Sequence, residues 1–128
     1  MALGAEFIVS PIFLPETAEV CNLRKVPYLP GTQTLTEMAA AERSGVEFLK
    51  LYPAMDPAFV RAALMPRPWS RIIANGPIST DDVEQWLEAG VVGIGTMMTV
   101  PSPAIESGDY ELITASVAAM VERVRSLA

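Results

Sequence analysis

Short apolar runs of strand length recur along the chain, each holding or followed by proline or glycine and separated from the next by a stretch long enough for a helix. The runs are Glu6 to Pro11, Val26 to Gly31, Val46 to Ala54, Trp69 to Ala74 and Val91 to Thr96. Strands that are apolar on both faces and joined by helical crossovers require a parallel sheet with helices outside, because such a sheet is covered on both sides. The pattern predicts an α/β fold of five strands alternating with five helical stretches. A barrel and an open doubly wound sheet share this pattern. The absence of a G-x-G-x-x-G turn weighs against a dinucleotide-binding sheet.

The helical stretches carry their own boundary signals. Pro15-Glu16 opens a short helix through Ala18, Val20, Cys21 and Leu23. Thr34 and Glu37 have the spacing of a capping box, with Gly45 just past the end of that helix. Glu37 is therefore expected to cap rather than to catalyse. Asp56 and Pro57 suit the N-cap and first position of the next helix, which Pro66 and Pro68 stop. Ser79 and Asp82 mark another start, and Gly90 ends that helix. The last, from about Tyr110 to Leu127, repeats Ile113, Val117, Met120, Val124 and Leu127 at spacings of three and four, an apolar face expected to pack on the sheet. Arg61 and Arg67 are scattered and read as solvent-exposed charges.

The run from Val46 to Ala54 stands apart because its one cation, Lys50, sits among apolar neighbours. Such a lysine has two physical outcomes. It can lie on an edge or rim and pair with a carboxylate, or it can be partly desolvated, which disfavours the ammonium form. The neutral amine is the form that attacks a carbonyl to make a Schiff base.

Composition narrows the chemistry. The 128 residues suit one domain, and 51% hydrophobic against 19% charged residues argues for an ordered chain with extensive covered surface. A net charge of −6 without a basic run makes nucleic acid a poor partner. With no histidine and Cys21 as the sole cysteine, disulfide frameworks, the usual zinc sites and histidine-based triads are excluded. Cys21 is expected to be a small core residue. No clustered carboxylate pattern marks a magnesium site. No segment is long and apolar enough for a membrane span, so a cytoplasmic location is the expectation.

Four segments, Gly4 to Pro11, Pro30 to Glu37, Leu49-Lys50-Leu51-Tyr52-Pro53-Ala54 and Gly93-Ile94-Gly95-Thr96, resemble in order and spacing the 2-keto-3-deoxy-6-phosphogluconate and 4-hydroxy-2-oxoglutarate aldolases. The resemblance implies a (β/α)8 TIM barrel, of which this chain matches strands four to eight. It also implies a trimer, and metal-free and cofactor-free cleavage of a 2-keto-4-hydroxy acid to pyruvate and an aldehyde through a lysine Schiff base.

Residue by residue, the resemblance puts Lys50 on the Schiff-base lysine and Tyr52 on the aromatic residue two further along. Gly31 and Thr34 fall in the substrate loop, Gly76 in the phosphate-binding turn after the seventh strand, and Gly95 and Thr96 on the phosphate site after the eighth. Barrel sites form at the C-terminal ends of strands, so these positions can converge.

Two departures stand out. Where the family reads Pro-Thr-Gly-Gly-Ile, this chain has Ala74-Asn75-Gly76-Pro77-Ile78, and proline removes a backbone donor. The family's proton-transferring glutamate and substrate-binding arginine come from the first three strands, which have no counterpart here. The expectation is a fragment, or a chain completed by an N-terminal complementing segment. The alternatives are a non-catalytic aldolase-derived subunit and a phosphate-ligand binding module.

Overall fold

A computed structural model describes residues 4–127 of the chain. Its strands are β1 (Ile8–Ser10), β2 (Tyr28–Thr32), β3 (Leu49–Leu51), β4 (Ile72–Gly76) and β5 (Gly93–Thr96). Its helices are α1 (Pro15–Arg24), α2 (Leu35–Arg43), α3 (Pro57–Leu64), α4 (Val83–Glu88), α5 (Ser102–Ser107) and α6 (Tyr110–Leu127). The strands form one sheet in the order β1-β2-β3-β4-β5, every neighbouring pair parallel. Helix between each strand and the next makes this a parallel α/β half-barrel, as the alternation of runs predicts.

Two expectations about the elements are corrected. There are six helices among the described residues, because Ser102–Ser107 forms a turn and a half of its own before Gly108, at φ +69°, breaks it. And α6 has α4 and α5 as its principal neighbours instead of lying flat on the sheet, with only Met120 of its apolar series buried. An Arg123–Glu84 ion pair of 2.9 Å joins α6 to α4.

Register assigns the faces. Val9 pairs with Leu29, Gly31 with Lys50, Lys50 with Ile73, Ile73 with Gly93 and Asn75 with Gly95, so these residues share one face. The other face carries Leu49, Leu51, Ile72 and Ala74, all buried against the helices together with Met38, Ala41, Val60 and Ala63. The core thus lies between sheet and helices. The Lys50 face is more open, with Val9 exposed and Ile73, Gly93 and Gly95 half-buried. Phe48, two residues before Lys50 and on its face, is half-buried and has the Arg71 guanidinium 4.1 Å from its ring centre.

The boundary signals act as read for α2 and α3. Thr34 Oγ1 accepts from the Glu37 amide at 3.2 Å while Glu37 Oε2 accepts from the Thr34 amide at 2.9 Å, completing the capping box. Asp56 accepts from the Ala58 amide at 2.7 Å with Pro57 at the first position. Ser79 and Asp82 act one turn earlier than α4. The Asp82 carboxylate accepts from the Ser79 amide and hydroxyl and closes a turn, and α4 starts at Val83 without a side-chain cap.

Arg67 also departs from its expected exposure. It pairs with Glu42 of α2, which accepts as well from Trp69 Nε1 at 3.3 Å and Ser70 Oγ at 2.6 Å. One carboxylate therefore anchors the connection that leads into β4.

Candidate functional site

β3 is the central strand, so the edge-lysine reading of Lys50 does not hold. Flanked by β2 and β4, the residue is only 7% exposed. Among the described residues no carboxylate lies within ion-pair distance of its ammonium. Desolvation by burial pushes its pKa below the ordinary lysine value. Its partner is aromatic: the Tyr52 ring stands over Nζ with its centre 4.9 Å away. Tyr52 is itself 41% exposed, so one side of the ring faces the amine and the rest faces outward.

Backbone crowding explains two of the glycines. A Cβ at Gly31 would sit 1.8 Å from the Pro11 carbonyl oxygen, and one at Gly76 would sit 2.4 Å from that of Ala54. Neither position has room for a side chain. At Gly95 the obstacle is the flexible Asn75 amide, 2.3 Å from an ideal Cβ.

The loops beyond the strand ends are tied to one another. Tyr52 N–H donates to the Thr32 carbonyl at 3.2 Å and Ala54 N–H to that of Asn75 at 2.9 Å. Gln33 Nε2 donates to the Pro53 carbonyl at 2.6 Å, linking the loop after β2 to the loop after β3. Glu37 Oε2 accepts from the Gln33 amide at 2.8 Å and from the Thr34 hydroxyl at 2.9 Å, and these bonds lower the Glu37 pKa. Thr34 is thus engaged in the cap, and it is exposed.

At the C-terminal ends of β3, β4 and β5 lies a cavity of about 350 Å³ that brings Tyr52, Gly76 and Thr96 together. Its walls also include Asn75, Pro77, Met97 and Met98. Lys50, beneath the Tyr52 ring, Gly31 in β2 and Thr34 in the loop after it do not line the cavity. The Thr96 hydroxyl donates to the Ile78 carbonyl at 2.7 Å and accepts from the Met98 amide at 2.9 Å. Another cavity, of about 300 Å³ around Cys21, Lys25 and Phe48, opens at the N-terminal ends of β2 and β3. It is at the wrong end for barrel chemistry, which is gathered where strands finish.

Sequence reasoning passed over Gln33, Asn75, Met97 and Met98. Asn75 stood in plain view as the residue before Gly76 in the altered turn. The role of Gln33 depends on a loop 20 residues away and leaves no local signal.

A parallel half-barrel with a desolvated lysine in its central strand and a cavity at the strand C-termini defines a TIM-barrel-like α/β protein. Within that class the chain belongs to the KDPG and KHG aldolase family, whose sequence model matches residues 1–116. It is 30% identical over 118 residues to the 2-dehydro-3-deoxy-phosphogluconate aldolase of Treponema pallidum, covering 89% of this chain and 56% of that protein. It is 30% identical over 115 residues to the KHG/KDPG aldolase of Escherichia coli K12, covering 87% and 54% respectively. The KDPG aldolase of Legionella pneumophila, solved with pyruvate captured as a covalent carbinolamine intermediate, superposes with a TM-score of 0.81 at 25% identity. That match covers 94% of this chain and 59% of the other. The chain spans a little over half the length of the curated relatives it matches.

Proposed function

We propose that this chain carries the Schiff-base half of a class I aldolase, acting on a 2-keto-4-hydroxy acid of the 2-keto-3-deoxy-6-phosphogluconate or 4-hydroxy-2-oxoglutarate type. The observation that carries the reading is the burial of Lys50 in the central strand with no carboxylate partner among the described residues. The carbinolamine seen in the Legionella relative supports it. In this reading the five strands correspond to strands four to eight of an eight-stranded barrel.

Neutral Lys50 attacks the C2 carbonyl to give a carbinolamine, which loses water to form a protonated imine. Removal of the C4 hydroxyl proton breaks the C3–C4 bond, its electron pair moves into the imine to form an enamine, and an aldehyde leaves. Protonation at C3 and addition of one water then release pyruvate and the free lysine. Tyr52 covers the amine, Gly31 and Thr34 shape the substrate loop, and Gly76, Gly95 and Thr96 shape the end that receives the aldehyde portion.

The base that takes the C4 proton comes from the three β/α units outside this chain. Glu37, at the start of α2, holds its carboxylate in the helix cap. The working assembly is therefore a completed barrel, in a homo-oligomer such as a trimer. A non-catalytic subunit is the second reading, favoured by the chain's matching little more than half of its relatives.

Pyruvate with borohydride tests the lysine directly. A reduced adduct at Lys50 and not at Lys25 is the expected result, and equal labelling of the two would sink the reading. Adduct formation without aldol cleavage, even after the missing units are supplied, would favour the non-catalytic subunit.

A further inference from the structure

The Tyr52 ring is carried over Lys50 by a turn with few attachments of its own. Tyr52 N–H donates to the Thr32 carbonyl at 3.2 Å and Ala54 N–H to that of Asn75 at 2.9 Å, while Pro53 between them has no N–H to give. The ring is 41% exposed, and its hydroxyl makes no hydrogen bond among the described residues. Where the ring lies is therefore set by how the turn is held.

One side chain holds that turn from outside. Gln33 Nε2 donates to the Pro53 carbonyl at 2.6 Å. Gln33 is fixed in its own turn, because its N–H donates at 2.8 Å to the Glu37 Oε2 that also accepts from the Thr34 amide in the α2 cap. A continuous set of bonds thus runs from the first turn of α2, through Gln33, to the residue beside Tyr52.

Little else acts on the amine. The register neighbours of Lys50 are Gly31 on β2 and Ile73 on β4, neither of them titratable. No carboxylate lies within ion-pair distance among the described residues, and the titratable group that faces Nζ is the Tyr52 phenol. Burial lowers the pKa of Lys50, and a ring over Nζ is part of what keeps water away from it. The ring face also attracts the ammonium form, which acts in the opposite direction. Desolvation is the larger influence, so an amine that loses the ring should titrate nearer the ordinary lysine value.

We infer that Gln33 is a positioning residue for Lys50: by holding the Pro53 carbonyl it fixes the turn that keeps the Tyr52 ring over the amine. Its use in catalysis rests on the Schiff-base reading above. Gln33 touches neither the amine nor the reacting carbon and acts through Tyr52.

Two pH profiles of Lys50 in the full chain, each read by mass spectrometry, test the assignment. Acetylation by acetic anhydride needs only a neutral amine, whereas trapping of pyruvate by borohydride needs an imine. Gln33→Leu is expected to move both half-maximal pH values up by about half a unit, the worth of one exposed hydrogen bond. Gln33→Asn, whose amide ends one methylene short of Pro53, should do the same. In a Tyr52→Leu chain the shift should already be present, and Gln33→Leu should add nothing to it.

A lowered urea midpoint with an unmoved acetylation profile would make Gln33 a purely structural residue and overturn the assignment. A wild-type profile in either Gln33 variant, or equal shifts with and without Tyr52, would overturn it as well. If acetylation behaves as expected while pyruvate never labels Lys50, the positioning role stands and the Schiff-base reading falls.

Discussion

At the scale of single residues, Lys50 combines a structural cost with a chemical use. Because burial lowers its folded-state pKa while the unfolded chain keeps the ordinary value of about 10.4, the unfolded state binds more protons between the two. Stability should therefore rise with pH through that window, and the cost of burying the charge is felt in full below it. Lys50→Met is expected to raise the urea midpoint at pH 7, with the gain shrinking as pH approaches 10. A gain that does not change with pH would show that packing, and not charge, is responsible. The same depressed pKa predicts that the adduct with pyruvate forms half-maximally at a pH below the ordinary lysine value.

Gly31 is a separate residue-scale case. Its missing side chain makes room for the Pro11 carbonyl, so Gly31→Ala should destabilise the fold by about 1–3 kcal/mol or more, as overpacking does. Gly93→Ala, whose new methyl would meet Ile73 at an ordinary 3.5 Å, should cost much less, and parallel urea titrations give the comparison.

At the scale of elements, the capping box of α2 decides what Thr34 does. Thr34→Ala removes the hydroxyl that accepts the Glu37 amide and should cost ~1 kcal/mol in urea unfolding. If Thr34 also touches substrate, half-saturation for pyruvate trapping will rise in the same variant, and if it only caps, trapping will hold. The Glu37 carboxylate has a folded pKa lowered by its bonds to Gln33 and Thr34, so its contribution is present above the unfolded value near pH 4.3 and is lost as pH falls through the folded one. A second structural anchor is Glu42, which holds Arg67, Trp69 and Ser70 together. Glu42→Ala should cost about 2 kcal/mol, since it strands a half-buried guanidinium whose Nε already lacks a partner.

At the scale of the whole molecule, the sheet has two edges, β1 and β5, that are unpaired among the described residues, and a face on which Val9 and Phe7 are exposed. Open parallel edges recruit further strands, and exposed apolar surface is relieved by burial against another chain. The isolated chain is expected to self-associate as its concentration rises, and three β/α units supplied in trans should raise solubility and restore cleavage. Light scattering across a dilution series, followed by an aldolase assay with and without those units, measures both. A monodisperse monomer with sharp cooperative unfolding and full activity would overturn the half-barrel account of this chain.

The sequence by itself determined the alternation of strand and helix, the caps of α2 and α3 and the glycines that end α2 and α4, because each depends on residues within a few positions of one another. It also singled out Lys50, since a lone cation in an apolar run is visible without a fold. Tertiary structure alone decided that β3 is central, that Lys50 faces the Tyr52 ring, and that α6 packs on α4 and α5. Strand order and helix docking are set by contacts between segments far apart in sequence, which local pattern does not encode. The same holds for the candidate site. The Thr96 hydroxyl is engaged because the fold brings the Ile78 carbonyl within 2.7 Å, and the Gln33 amide because the Pro53 carbonyl lies against it. Whether a hydrogen-bonding group is available to a ligand depends on what else the fold has placed beside it.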